Sequence, residues 1–210
     1  MLHLEQKSAE CPFCSLSVKR VVAETQYFIL IKPLFPIVNA EILIIPRRHT
    51  GSIALLNLFE RNEVDEIWKI IFDSICDLRC GIVFEHGNHS HSPFEPWHKH
   101  AHLHILAVPI KIFPLFSHLI PIQHVKDYSL CEPFSSEYVF YKDIDSQPTF
   151  FILTEPLPRN FFKTRVQEQI NQTLSQSQIT NEAWLDAEKQ FNFSIKNIPY
   201  ILKKKYNQQK

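Results

Sequence analysis

Residues 98–108 read His-Lys-His-Ala-His-Leu-His-Ile-Leu-Ala-Val. Alternation of this kind marks a β-strand with one buried face. Period two puts His100, His102 and His104 on one side and Ala101, Leu103 and Ile105 on the other. With about 3.3 Å of rise per residue, neighbouring imidazoles on that side stand roughly 6.6 Å apart. A chain built around such a strand must place it in a sheet with one covered face and one accessible face. Solvated faces are ordinarily made of Thr, Lys or Glu, whereas imidazole is neutral and nucleophilic near its reference pKa of about 6.5. A single strand histidine is usually a satisfied structural residue. Here seven of the chain's 11 histidines fall between positions 86 and 104, and three of them share one strand face, which points to a site.

The segments on either side define the sheet. Residues 19–24 and 27–32 are strand-like, Pro33 and Pro36 open a loop, and residues 42–45 form a short apolar strand closed by Pro46-Arg47-Arg48-His49. Asn57 and Glu60 make a capping box for a helix running to about Leu78, with an apolar stripe of Val64, Ile67, Trp68, Ile71, Ile75 and Leu78. Residues 81–85 read as the next strand, and residues 88–97 lead into the histidine strand. Strands interrupted by a single helix predict an antiparallel α+β domain and exclude a doubly wound one. Past Pro109, residues 110–135 are proline-rich, residues 137–142 and 149–153 pair as strands, and a helix follows Pro158 with Phe161, Phe162, Val166 and Ile170 on its apolar side. A short helix is predicted around residues 184–191. Lys203, Lys204 and Lys205 then read as a solvated tail. The domain division expected is 1–109, with an amino-terminal metal-binding segment, and a carboxy-terminal extension over 110–210 packed on the same core.

Charge excludes some classes. Lys and Arg together number 22, as do Asp and Glu, so no net field draws nucleic acid or an anionic membrane, and any anionic ligand must be held by local groups. No apolar run approaches the roughly 18 residues of a membrane span, and residues 1–10 are too polar for a signal peptide. The expectation is a soluble, cytoplasmic protein. Five cysteines, an odd number without a dense framework, suit a reducing compartment. Cys11-Pro12-Phe13-Cys14 is either a redox dithiol or half of a zinc site. The redox alternative wants a strand ahead of the motif, where only a polar leader stands, so zinc is favoured if histidine partners exist elsewhere. Cys76 and Cys80, one helical turn apart, read as ordinary thiols.

His100-Ala101-His102-Leu103-His104-Ile105-Leu106 resembles the signature of the histidine-triad superfamily, His-φ-His-φ-His-φ-φ with φ apolar, at every position. The resemblance covers residues 11–109. It implies an antiparallel sheet covered by helices, often assembled as a homodimer. It also implies a nucleotide hydrolase or nucleotidyltransferase working through a nucleotidyl-histidine intermediate. By that resemblance His102 is the nucleophile. His104, one pleat along, can donate a hydrogen bond and is assigned to phosphate contact and to proton delivery to the leaving group. Pro46-Arg47-Arg48-His49 resembles a step found in zinc-bearing members such as the hexose-phosphate uridylyltransferases. That likeness implies a structural zinc held by Cys11, Cys14, His49 and His100, a closed tetrahedral set with no position left for water.

Substrate contacts are expected from His98, Glu85, Lys32 and Trp97, although a solvated Lys32 and a buried Trp97 are equally good readings. The third triad position is histidine, as in the hydrolases, whereas Phe84-Glu85-His86 is closer to the transferases. Small hydrolases carry histidine where this chain has Glu41, an aspartate near Lys32-Pro33, and a serine near Pro96-Trp97. The expected activity is hydrolysis of a nucleoside phosphate ester, phosphoramidate or dinucleoside polyphosphate. The alternatives are nucleotidyl transfer, a non-catalytic zinc-stabilised nucleotide or RNA-binding module, and a catalytic metal centre through His86, His89 or His91.

Overall fold

The computed structural model describes residues 11–74, 81–88, 100–108, 137–143, 149–152, 160–176 and 181–208. Seven antiparallel strands form one sheet: β1 (Val21–Glu24), β2 (Phe28–Ile31), β3 (Glu41–Pro46), β4 (Gly81–Asn88), β5 (Leu103–Ala107), β6 (Glu137–Asp143) and β7 (Thr149–Ile152). Their order is β1-β2-β3-β5-β4-β6-β7. The antiparallel α+β class holds. The strands of the carboxy-terminal part extend the same sheet, because β6 pairs along β4 from Ile82↔Asp143 to Asn88↔Glu137.

Each strand sends alternate residues to opposite faces. On one face Phe28, Leu30, Ile42, Ile44, Val83, Leu103 and Ile105 form the main core with Tyr138, Phe140 and Phe150. Helix α1 (Leu58–Ser74) contributes Val64, Ile67, Trp68 and Ile71 to it, and helix α3 (Asn181–Gln208) contributes Phe191, Ile195, Ile198 and Leu202. Among the described residues this face is therefore covered by the expected helix α1 and by α3 from the carboxy-terminal extension. Burying one such Ile or Leu contributes roughly 1.5–3 kcal/mol, so the apolar stripe sets where each helix lies. The capping box forms as predicted: Asn57 Oδ1 accepts from the backbone N–H groups of Phe59 and Glu60 at 2.9 and 3.1 Å, and Glu60 Oε2 accepts from Asn57 N–H at 2.8 Å. Ile75 and Leu78 lie outside the described residues.

The opposite face has two separate covers. Helix α2 (Phe161–Gln176) packs Val166 and Ile170 over Ile82, Phe84 and Leu106. The amino-terminal segment packs Phe13 and Leu16 over Ile31, Leu43 and Ile45.

Two expectations change. The histidine segment is laddered only over Leu103–Ala107. Pro46, at the end of β3, has no N–H to offer the ladder, and residues 100–102 take other partners. The short helix and solvated tail predicted at the carboxy terminus are one 28-residue helix, with Pro199 inside it. Its stripe runs through the proline to Leu202, and Lys205 pairs with Glu66 of α1. The apolar period outweighs the lost hydrogen bond at Pro199.

Candidate functional site

Four ligand-type side chains converge beside the start of β5. Cys11 Sγ lies 3.4 Å from His100 Nδ1, and Cys14 Sγ lies 3.6 Å from the same atom and 3.3 Å from His49 Nδ1. The four donor atoms all fall within 4.8 Å of one another, so the group could hold a metal ion. Backbone structure brings them together. The N–H of Ala101 donates to the Thr50 carbonyl at 2.6 Å, joining the residues that follow His100 and His49. Arg48 makes a two-pronged pair with buried Glu60, at 2.6 and 2.8 Å, which ties the same loop to the start of α1. His100 Nε2–H donates to the Pro46 carbonyl at 2.8 Å, and this turns the Nδ1 lone pair toward the sulfurs. Burial holds the His100 pKa down to about 4, with His49 and Arg48 adding to the effect and the Pro46 bond opposing it. Burial also pushes the Cys11 thiol up.

His102 follows on the same face. Its Nδ1–H donates to the His100 carbonyl at 3.0 Å, a bond that fixes the tautomer and leaves Nε2 with its lone pair. Its ring lies 5.0 Å from Phe13 and 5.3 Å from His104, centroid to centroid. His104 stacks on Phe84 at 4.6 Å and 2°. Its Nδ1 stands 2.7 Å from Glu41 Oε1. The two rings thus sit between the two covers of this face, with Phe13 touching one and Phe84, under α2, stacking on the other. Chemically the strip offers, in the neutral tautomer that the His100 carbonyl selects, the Nε2 lone pair of His102 beside a second imidazole that meets a carboxylate.

Cys11, Cys14, His49 and His100 come together, and His102 and His104 adjoin them. Glu85 and Lys32 do not join this group. Glu85 shares the strand face of Val83, in the main core. There it accepts from the Tyr138 hydroxyl and interacts with the backbone N–H groups of Ile53 and His102, and burial raises its pKa to about 8. Gly87 makes this possible, since a Cβ there would clash with the hydroxyl end of the Tyr138 ring. Lys32 turns toward α3: its Nζ donates to the Asn39 carbonyl at 2.9 Å and lies 5.9 Å from the Phe191 ring. His98 and Trp97 lie outside the described residues, as do His89, His91, Cys76, Cys80 and Cys131.

Sequence reasoning missed two contributors. Glu41 registered only as the absence of a histidine, yet it is fully buried and bonded to His104. Phe13 was only the spacer of the Cys-x-x-Cys motif, yet it contacts both His100 and His102. Odd-numbered positions of β3 share a face, which places Glu41 with Leu43, but only the pairing Leu43↔His104 reveals what that face meets.

No family model matches the sequence, and no curated protein matches it. Similar solved structures include a hypothetical histidine triad nucleotide-binding protein from Sulfolobus tokodaii strain 7, at 18% identity and a TM-score of 0.39, with 90% of this chain and 93% of that chain covered. Yeast Ap4A phosphorylase Apa2 in complex with AMP is similar at 14% identity and a TM-score of 0.48, over 79% of this chain and 75% of that chain. Among described helices none is long and apolar enough to cross a membrane. The structural neighbours of this antiparallel α+β chain are therefore a histidine triad nucleotide-binding protein and an Ap4A phosphorylase.

Proposed function

We propose that the protein is a nucleotide phosphohydrolase in which His102 attacks the phosphorus of a nucleoside phosphate ester, phosphoramidate or dinucleoside polyphosphate and becomes transiently nucleotidylated. The observation that carries this reading is the bond from His102 Nδ1–H to the His100 carbonyl. It leaves Nε2 unprotonated on a half-buried ring next to a second imidazole, as nucleophilic catalysis requires. Nε2 forms a bond to phosphorus as the bond to the leaving group breaks. Water then releases the nucleoside monophosphate and returns the lone pair to Nε2. Negative charge on the phosphoryl oxygens needs donors around it, a role proposed for His104 and for His98, with Trp97 as a surface for the base.

The metal proposed for Cys11, Cys14, His49 and His100 is zinc. A tetrahedral ion with zinc's usual bond lengths to sulfur and nitrogen would set S···N separations of about 3.5 Å, and three such separations in the cluster are 3.3, 3.4 and 3.6 Å. When bound, the ion braces the fold and carries no open position for water. Its cage residues hold the amino-terminal loop, and hence Phe13, against the segment that bears His102 and leads into β5.

The test is a rapid quench of wild-type protein with a dinucleoside polyphosphate or a nucleoside phosphoramidate, followed by peptide mass spectrometry. The expected product is a nucleotidyl adduct on His102. His102→Asn should lose the adduct and at least about 10³-fold in turnover, with an unchanged circular dichroism spectrum. Metal analysis should find one zinc per chain, lost in Cys14→Ser. Tight binding of nucleoside monophosphate with neither adduct nor turnover would replace the enzyme by a binding module.

A further inference from the structure

The contact between His104 and Glu41 does more than fill space. Glu41 is fully buried at the start of β3, and His104 is on β5, two positions along the ladder and on the same face. Oε1 stands 2.7 Å from His104 Nδ1, and Oε2 accepts from the backbone N–H of Ile37. Both carboxylate oxygens are thereby engaged, so the group has little freedom to rotate. The Phe84 ring, coplanar to within 2°, holds the imidazole from the β4 side. The groups facing His104 are Glu41 from β3, uncharged Phe84 from β4 and His102 from the segment leading into β5. Lys32 lies within electrostatic range of Glu41.

We propose that Glu41 is a positioning residue that makes His104 the acid and base of the reaction. The inference rests on the reading of His102 as nucleophile. With Nδ1–H anchored on the carboxylate, the other nitrogen, Nε2, is the one that exchanges protons with the reacting groups. In the first step the His102 Nε2 lone pair forms the N–P bond, the bond from phosphorus to the leaving oxygen or nitrogen breaks, and that atom takes the Nε2 proton of His104. In the second step neutral His104 Nε2 removes a proton from the attacking water, the new O–P bond forms and the N–P bond to His102 breaks. The proton count closes over the two steps with no further reactant. A carboxylate pairs with the imidazolium, which holds the proton before the first step and again after the second, more strongly than a neutral partner would.

The experiment compares two nucleotide substrates, one with a poor leaving group such as an alkylamine and one with a good leaving group such as p-nitrophenolate. Only departure of the poor one needs a proton. Glu41→Gln should slow nucleotidylation from the alkylamine substrate by 10- to 100-fold and from the p-nitrophenyl ester by less than threefold. The double variant Glu41→Gln/His104→Gln should be no slower than His104→Gln alone. Equal slowing of both substrates, or additive losses in the double variant, would leave Glu41 a structural residue and overturn the proposal. If Glu41→Gln does not fold, nitrogen-15 NMR of the wild-type protein decides: Nδ1 of His104 must carry the proton, and an Nε2–H tautomer overturns the proposal. Absence of any His102 adduct in wild type with either substrate is a separate result. That outcome sinks the nucleophile reading itself.

Discussion

The strands flanking β5 place the same kind of buried carboxyl on opposite faces of the sheet, Glu85 of β4 on one and Glu41 of β3 on the other. The two are put to opposite uses. On the core face Glu85 sits among apolar side chains. Burial raises its pKa to about 8, so its neutral form dominates at pH 7, and the Tyr138 hydroxyl, itself 2.6 Å from Ser52 Oγ, bonds to it. On the histidine face Glu41 is equally buried but meets an imidazole. One carboxyl anchors a loop and a strand from behind, and the other orients a ring in front. The contrast shows that burial alone does not define the role of an acidic residue. What decides it is whether the nearest partner can itself carry a proton to a ligand.

The sharpest way to break this comparison is to damage the core face and ask whether the histidine face notices. Ile105→Ala, directly behind the triad, should cost about 2–5 kcal/mol in urea unfolding, while kcat per folded molecule stays within about twofold. A large loss of kcat in the folded fraction would mean that the two faces are not separable. Next in size is the proton linkage of Glu85. Its folded pKa of about 8 lies above the reference value of 4.5, so between those values the folded state binds more protons than the unfolded state, and stability falls as pH rises. The contribution is fully present below about pH 4.5 and gone above about pH 8. Relative to Glu85→Gln, wild type should lose a few kcal/mol between pH 5 and pH 8, as read by denaturation at both pH values. Parallel curves for the two proteins would refute the buried neutral carboxyl. Smallest is Lys205→Ala, which removes a half-exposed pair with Glu66. A loss below about 1 kcal/mol in thermal unfolding fits a helix held by Phe191, Ile195, Ile198 and Leu202, and a larger loss would shift the weight to the lysine run.

Much of the site was legible because its chemistry is local. The alternation around His102 and the two-residue gap between Cys11 and Cys14 are short-range patterns with few physical readings. The partner set His49 and His100 came with the family resemblance, and the distances among the four donors agree with it. The length of α3 was hidden because Pro199 and the lysines look like stop signals, although the stripe to Leu202 continues at helical spacing. Glu85 and Lys32 were expected among the substrate contacts because Phe84-Glu85-His86 resembles a transferase stretch and Lys32 stands near the place of an aspartate in small hydrolases. Such likeness does not say which way a side chain turns: Glu85 meets Tyr138 on the core face, and Lys32 turns toward α3.

From the chain alone came the strand with imidazoles on one side, the metal-type thiol pair, the capped helix and the antiparallel class, each dictated by periods and spacings within a few residues. Tertiary structure alone decided which strands flank β5, and through that register it decided that Glu41 reaches His104 while Glu85 is buried behind His102. The reason is that a period of two assigns a side chain to one of its own strand's faces, whereas what lies across from it depends on pairing between segments distant in sequence, 63 residues for Glu41 and His104.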